Sequence, residues 1–398
     1  MRPEAILSAR QGVLPRWFNG RWTRMVNAEV SQSSGCACCG RVRIALLVLL
    51  LSLHEFTPAS AAEKCAVVDL MPPFWQALAG SDPAAQMRTS VVEPYPDLYN
   101  DKFVRLAQGA AWQLELAHEK AYAEAHRTEI DATEQYLAAN APHFMQEFRK
   151  TFPDYRCNFT FYIAPSFGHM DGSAVIVNGQ YRIIFAPDVI PRLHTLSELK
   201  VLIDHETFHI LHRQVTGVFG VDEEAVPTIE AALWSEGLAT LVSWRMNPGV
   251  SLDVALLQPG IPERARAYLP ALATGLLMRL EDKDPSTYDR YFAGGQLPDG
   301  YPARAGYYVG LLLAQDLSKR YTLRQLARLT GPALHSAIVS GLLQLREPTG
   351  AGSDAPTATS SNYNESVNLA GSSWPRNPRC ASSSQRAWSP GKASVVPM

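Results

Sequence analysis

His205-Glu206-Thr207-Phe208-His209 sets two imidazoles four residues apart, with a carboxylate beside the first. On a helix, residues four apart stack on one face, so both rings can turn a nitrogen toward one metal ion. Glu206 lies one position along, close enough to reach a water on that metal without being a ligand itself. That is the place a general base takes in metal-assisted hydrolysis.

The segment has its own start and stop signals. Thr195 with Glu198 three residues later reads as a capping box, and Gly217 as the C-terminal stop. At 100° per residue, Lys200, Asp204, Thr207 and Gln214 gather on one polar arc. Leu199, Leu202, Ile203, Ile210, His205, Glu206 and His209 fall largely opposite, so the motif faces inward. An unpaired buried carboxylate and two imidazoles would be costly there, and a metal removes that cost.

A catalytic site of this kind needs a third protein ligand and an open place for water. The extended metzincin pattern wants a Gly three residues after the second His and another His three beyond, but His212 and Val215 stand there. His212 itself is about 10 Å of helix rise from His205, too far to share one metal comfortably. Glu236 fits better. It lies mid-helix among Leu233, Trp234, Leu238 and Leu241, and Gly237 beside it permits close backbone approach. Glu230, one and a half turns earlier, is the rival.

The elements that must position these residues can be read in outline. A helical pattern runs from Asp97 to about Arg127, and another from Ala132 to Lys150, interrupted or restarted at Pro142. Between Cys157 and Ile163 the period changes to two, which is a half-buried strand. Ser173 to Val177, Asn178-Gly179 and Gln180 to Phe185 read as a hairpin, because Asn-Gly supplies the positive φ angles of a type I′ turn. An acidic loop, Val221 to Glu224, precedes a helix from Ile229 to Met246. The last clear helices start at Pro302 and Leu323.

The chain has 398 residues, 46% hydrophobic and 19% charged, enough to bury a substantial core. Its 36 basic and 38 acidic side chains give a formal charge of −2. No run of like charge points to a nucleic-acid partner. Residues 1–62 read as a leader: Arg41-Val42-Arg43, the apolar run Ile44 to Leu53, then Pro58-Ala59-Ser60-Ala61-Ala62. Basic, apolar and small residues in that order mark a signal peptide, so the expected location is periplasmic or secreted, with no stable membrane span after cleavage. A Cys65–Cys157 disulfide would suit an oxidising compartment, although Cys380 leaves the pairing open. A catalytic domain is expected over 63–345, and a disordered tail rich in Ser, Pro and Gly over 346–398.

Three stretches together carry a resemblance. His205-Glu206-Thr207-Phe208-His209, Ser235-Glu236-Gly237-Leu238-Ala239 and Ala305-Gly306-Tyr307-Tyr308-Val309-Gly310 resemble the predicted Zn-dependent proteases of the gluzincin group, which are bacterial. Phe167-Gly168-His169-Met170-Asp171-Gly172 is also similar to theirs. The likeness covers roughly residues 97–322. It implies an α+β zincin-like fold, mainly helical, with a small mixed β-sheet whose edge strand lies above the active helix. It implies Zn2+ held by His205, His209 and Glu236, Glu206 as general base, and hydrolysis of a peptide or protein substrate. Tyr307 or Tyr308 is the candidate donor to the oxyanion. An extended peptide would add to strand 173–177 or 181–185. Thr240 stands four residues after Glu236 where better-known gluzincins have an acidic residue, so the support for a ligating His must come from elsewhere. Two other classes stay open: a zinc-binding pseudoenzyme or peptide-binding module without turnover, and an interaction protein whose motif is accidental.

Overall fold

In a computed structural model, the chain is described over residues 65–96, 98–99, 110–177, 180–218, 221–222, 227–294 and 302–347. The expected leader and nearly all of the expected tail lie outside the described residues, as does the Asn178-Gly179 turn. The architecture is α+β and mainly helical, with one small mixed sheet.

The sheet is built from β1 (Ala66–Asp69), β2 (Thr160–Ile163), β3 (Gly172–Val177) and β4 (Gln180–Phe185), in the order β1-β2-β4-β3. β1, β2 and β4 run parallel, with Val67 opposite Phe161 and Phe161 opposite Ile183. β3 returns antiparallel to β4, with Ala174 opposite Ile183. A two-residue strand, β5 (Val221–Asp222), pairs with Val175 and Ile176 at the outer edge. β4 is therefore interior, with both edges occupied, and the expectation that a peptide could add along 181–185 does not hold. Among the described residues, the first half of β3, Gly172 to Ala174, has no strand paired on its outer side.

β2 is shorter than the expected 157–163 strand. Cys157 instead joins Cys65 in a disulfide, Cα to Cα 4.9 Å, which ties the start of β1 to the segment entering β2.

Nine helices of eight or more residues are described. They are α1 (Met71–Leu78), α2 (Ala110–Ala125), α3 (Arg127–Thr151), α4 (Leu199–Thr216), α5 (Ile229–Met246), α6 (Leu269–Leu277), α7 (Pro285–Phe292), α8 (Ala305–Leu317) and α9 (Gly331–Arg346). Contrary to expectation, α3 runs through Pro142 without restarting. Ile130, Leu137, Ala141, Phe144 and Phe148 are buried on both sides of the proline, and that packing offsets the lost hydrogen bond.

α4 starts as expected. After a short 3-10 turn (Leu196–Glu198), the Thr195 and Glu198 side chains form a reciprocal capping box, and Gly217 closes the helix at φ 68°. Its surroundings differ from the expected polar arc. Asp204 and Thr207 are buried, so the helix is covered all round. Asp204 keeps its charge partnered by Lys200 at 2.7 Å and by the Asn247 amide at 2.7 Å. α4 packs between α3, β3 and α5, and α5 packs in turn on α8.

The α5–α8 contact is unusually close. A β-carbon at Gly237 would fall 2.1 Å from the Gly310 carbonyl carbon, and one at Gly310 would fall 2.2 Å from the Leu233 carbonyl oxygen. Two glycines facing each other let the helix carrying Glu236 and the helix carrying Tyr307 meet backbone to backbone. Among the described residues, no helix is long and apolar enough to cross a membrane.

Candidate metal centre

Three side chains from two helices converge. His205 Nε2 lies 3.3 Å from Glu236 Oε2, His209 Nε2 lies 3.5 Å from the same oxygen, and the two imidazole nitrogens are 3.2 Å apart. All three residues are at least 95% buried. Helical periodicity brings the two rings together on α4. Packing of α5 on α4 brings Glu236 to them, and the Gly237–Gly310 contact holds α5 close against α8 on another side.

The donor atoms fit a cation. Two imidazole nitrogens facing each other at 3.2 Å can share at most one proton, and the nearby carboxylate accepts only. Burial disfavours the Glu236 carboxylate, but His209 and His205 more than offset this and hold its pKa well below the usual range. Burial likewise opposes the His209 imidazolium, and Glu236 outweighs it, so its pKa is raised. Both shifts express the attraction of an ionised Glu236 for a positive charge at the imidazoles, and a metal ion is a cation that can take the place of that proton. His205, His209 and Glu236 form a buried group that could hold a metal ion.

The rival ligands are elsewhere. Glu230 accepts from His335 Nδ1 at 2.5 Å and belongs to a separate, more exposed group with Glu281. His212 is fully buried, 5.1 Å from the Phe208 ring between centroids, and burial pushes its pKa down to about 3. It is outside the cluster.

Glu206 is buried beside the ligands. Burial raises its pKa, while His205 and His209 pull it down and Glu236 and Asp171 add to the rise. The start of β3 lies against it: a β-carbon at Gly172 would sit 3.5 Å from Glu206 Cγ. The first residue of β3 therefore lies against the Glu206 side chain.

Ser235 supplies support that no acidic residue at position 240 provides. Its hydroxyl is 3.1 Å from His209 Nδ1, which fixes the ring so that Nε2 points at the cluster. Thr240 instead donates to the Glu236 carbonyl within the helix.

The two tyrosines separate cleanly. Tyr307 stacks on His205, ring centroids 6.2 Å apart and planes 24° apart. Its hydroxyl is held protonated, with a pKa raised well above the ordinary value by burial and by Glu236. Tyr308 is buried in the hydrophobic core. We expect Tyr307→Phe to lower kcat by roughly tenfold to a thousandfold, as loss of an oxyanion donor does, and Tyr308→Phe to leave kcat near the parent value. Steady-state kinetics of both variants on one substrate checks this. Equal effects would remove the distinction.

Asp171, His194, Tyr288 and Arg304 also surround the cluster and were not singled out from sequence. Asp171 Oδ2 is 2.6 Å from His194 Nε2; burial opposes its ionisation, but His194, Arg304 and the Gly172 amide keep its pKa low. Tyr288 sits near enough for its hydroxyl to feel Glu236 and Glu206, and burial raises its pKa. Of these, only Asp171 had a signal, inside the quoted Phe167–Gly172 stretch.

Compared with models of known protein families, with curated proteins and with solved structures, the chain matches none. The resemblance to the predicted Zn-dependent proteases rests on the quoted motifs alone.

Proposed function

We propose that the chain is a zinc-dependent peptidase of zincin-like fold, built on the gluzincin ligand set. The observation that carries this reading is the convergence of His205, His209 and Glu236 within 3.2–3.5 Å, with Glu206 buried alongside. Two imidazoles and a carboxylate, with one place left open, form the ligand set of catalytic zinc sites. When bound there, zinc lowers the pKa of a water toward neutrality and polarises a carbonyl.

The chain's own residues account for the remaining work. Glu206 accepts the proton of the attacking water at its carboxylate and passes it to the leaving amine. Tyr307 donates its hydroxyl hydrogen to the developing oxyanion. The Gly172 N–H already donates to Asp171, and the remaining outward backbone groups of Gly172 to Ala174 are offered to an extended peptide, which brings the scissile carbonyl over Glu206. Export is part of the proposal: it rests on the Arg41–Ala62 sequence and on the Cys65–Cys157 disulfide, a bond that persists in oxidising compartments.

The test is hydrolysis of an unstructured protein by the purified, zinc-loaded chain. Activity should be lost on chelation and regained on adding zinc. A folded, zinc-loaded protein that cleaves nothing would leave the alternative of a metal-binding module without turnover. Cleavage at an undiminished rate in chelator would remove the metal from the mechanism.

A further inference from the structure

Arg304 precedes α8 in the left-handed region, at φ 56° and ψ 23°. A residue with a β-carbon is strained there by about 1 kcal/mol or more, and such strain persists where the surroundings enforce it. Among the described residues, Phe167 and Leu257 are the other non-glycine cases. The Arg304 guanidinium carbon lies 4.2 Å from the Tyr307 ring centre, and that ring is 6.2 Å from His205, so the cation is no more than about 10 Å from the His205 ring.

Among the described residues, the cation has no carboxylate partner. Its Nε is buried with no hydrogen-bond partner. Among the described residues Tyr307 is its side-chain hydrogen-bond partner, and Asp171 and Glu236 favour its charge only from a distance. Two other half-buried cations are each paired with a carboxylate: Arg192 with Glu119, Lys200 with Asp204. A guanidinium with five N–H donors and unmet bonding capacity beside the cluster favours a bidentate anion.

We propose that Arg304 binds a carboxylate of the substrate, so that the preferred peptide carries a negative charge within a few residues of the cleaved bond. The inference rests on the peptidase reading. An extended chain spans at most about 3.5 Å per residue, so a gap of up to about 10 Å corresponds to no more than about three residues. Two sources supply such a group: the free C-terminus of the peptide, or an acidic side chain. Fork-to-fork pairing of guanidinium with carboxylate provides affinity and register together.

The test reads binding, so that it stands apart from turnover. The full chain carrying Glu206→Gln, loaded with zinc, is titrated calorimetrically with acetyl-trialanine acid, acetyl-trialanine amide and acetyl-Ala-Glu-Ala amide. We expect at least tenfold tighter binding of one charged peptide than of the neutral amide. Preference for the acid assigns the free C-terminus, and preference for the Glu peptide assigns the side chain. In Arg304→Gln the preference should vanish while neutral-peptide binding stays within about twofold; Arg304→Lys should keep part of it. Thermal melting and zinc content of both variants establish that they are folded. Equal binding of all three peptides, or a preference that survives Arg304→Gln, overturns the assignment. Absence of hydrolysis by the parent would instead overturn the peptidase reading, whatever the binding result.

Discussion

Glu206→Gln is expected to bind zinc as the parent does and to lose roughly 10²- to 10⁴-fold in kcat. The amide has nearly the shape of the carboxylate, so the packing against Gly172 is kept. Only the proton acceptor is lost. On the proposed mechanism burial favours that role, because it raises the Glu206 pKa and so strengthens the carboxylate as a proton acceptor. Stability should not suffer. Burial, Glu236 and Asp171 together disfavour the Glu206 charge more than His205 and His209 favour it, and the neutral amide removes that net cost. Single-turnover kinetics and metal content on the same preparation separate the two effects. Parent-like turnover would mean that another group takes the proton, and the zincin reading would fail with it.

The second large effect is structural. Gly310→Ala should destabilise the fold by about 3 kcal/mol or more. The new methyl would sit 2.2 Å from the Leu233 carbonyl oxygen and 2.9 Å from Gly237 Cα, both backbone atoms that no rotamer change can clear. The helices must separate, which shifts Glu236 on α5, or Tyr307 on α8, from its place beside His205 and His209. Misplacement of a catalytic group by about 1 Å can cost a hundredfold in rate. Zinc affinity and kcat should therefore fall together with the melting temperature. Gly294→Ala, where an added β-carbon meets nothing within 4 Å, is the matched control and should shift stability by no more than about 0.5 kcal/mol. Parent-like melting of Gly310→Ala would mean that α5 and α8 are not in backbone contact.

Much of the cluster could be read from the sequence because it depends on local periodicity. His205, Glu206 and His209 share one helix with its caps written into Thr195, Glu198 and Gly217. Glu236 was marked by an apolar neighbourhood and by Gly237, whose partner Gly310 ends the third motif. What depends on distant partners was not legible. The burial of Asp204 relies on Asn247, 43 residues away. β1 is four residues long and half exposed, and it exists through pairing with a strand some 90 residues later. β5, two residues of an acidic segment, was read as loop for the same reason. Tyr307 and Tyr308 are adjacent, so choosing between them requires knowing what lies 100° apart around α8. Arg304 carries no local signal at all, since its backbone conformation is one that arginine seldom adopts.

The most direct test of the central claim is zinc stoichiometry, measured on the parent chain beside Glu236→Ala, Glu230→Ala and His212→Ala. His205 and His209 supply two ligands from one direction, and a four-coordinate site with one place for water requires a third from another. Glu236 is the carboxylate that reaches both nitrogens, whereas Glu230 is engaged with His335. We expect one tightly bound zinc per parent chain, and the same in Glu230→Ala and His212→Ala. Glu236→Ala should bind zinc at least a hundredfold more weakly and melt at a lower temperature in the presence of zinc, because metal binding adds to folding stability. A folded parent chain that binds no stoichiometric zinc, or a Glu236→Ala variant that retains it while Glu230→Ala loses it, would contradict the metal centre described here.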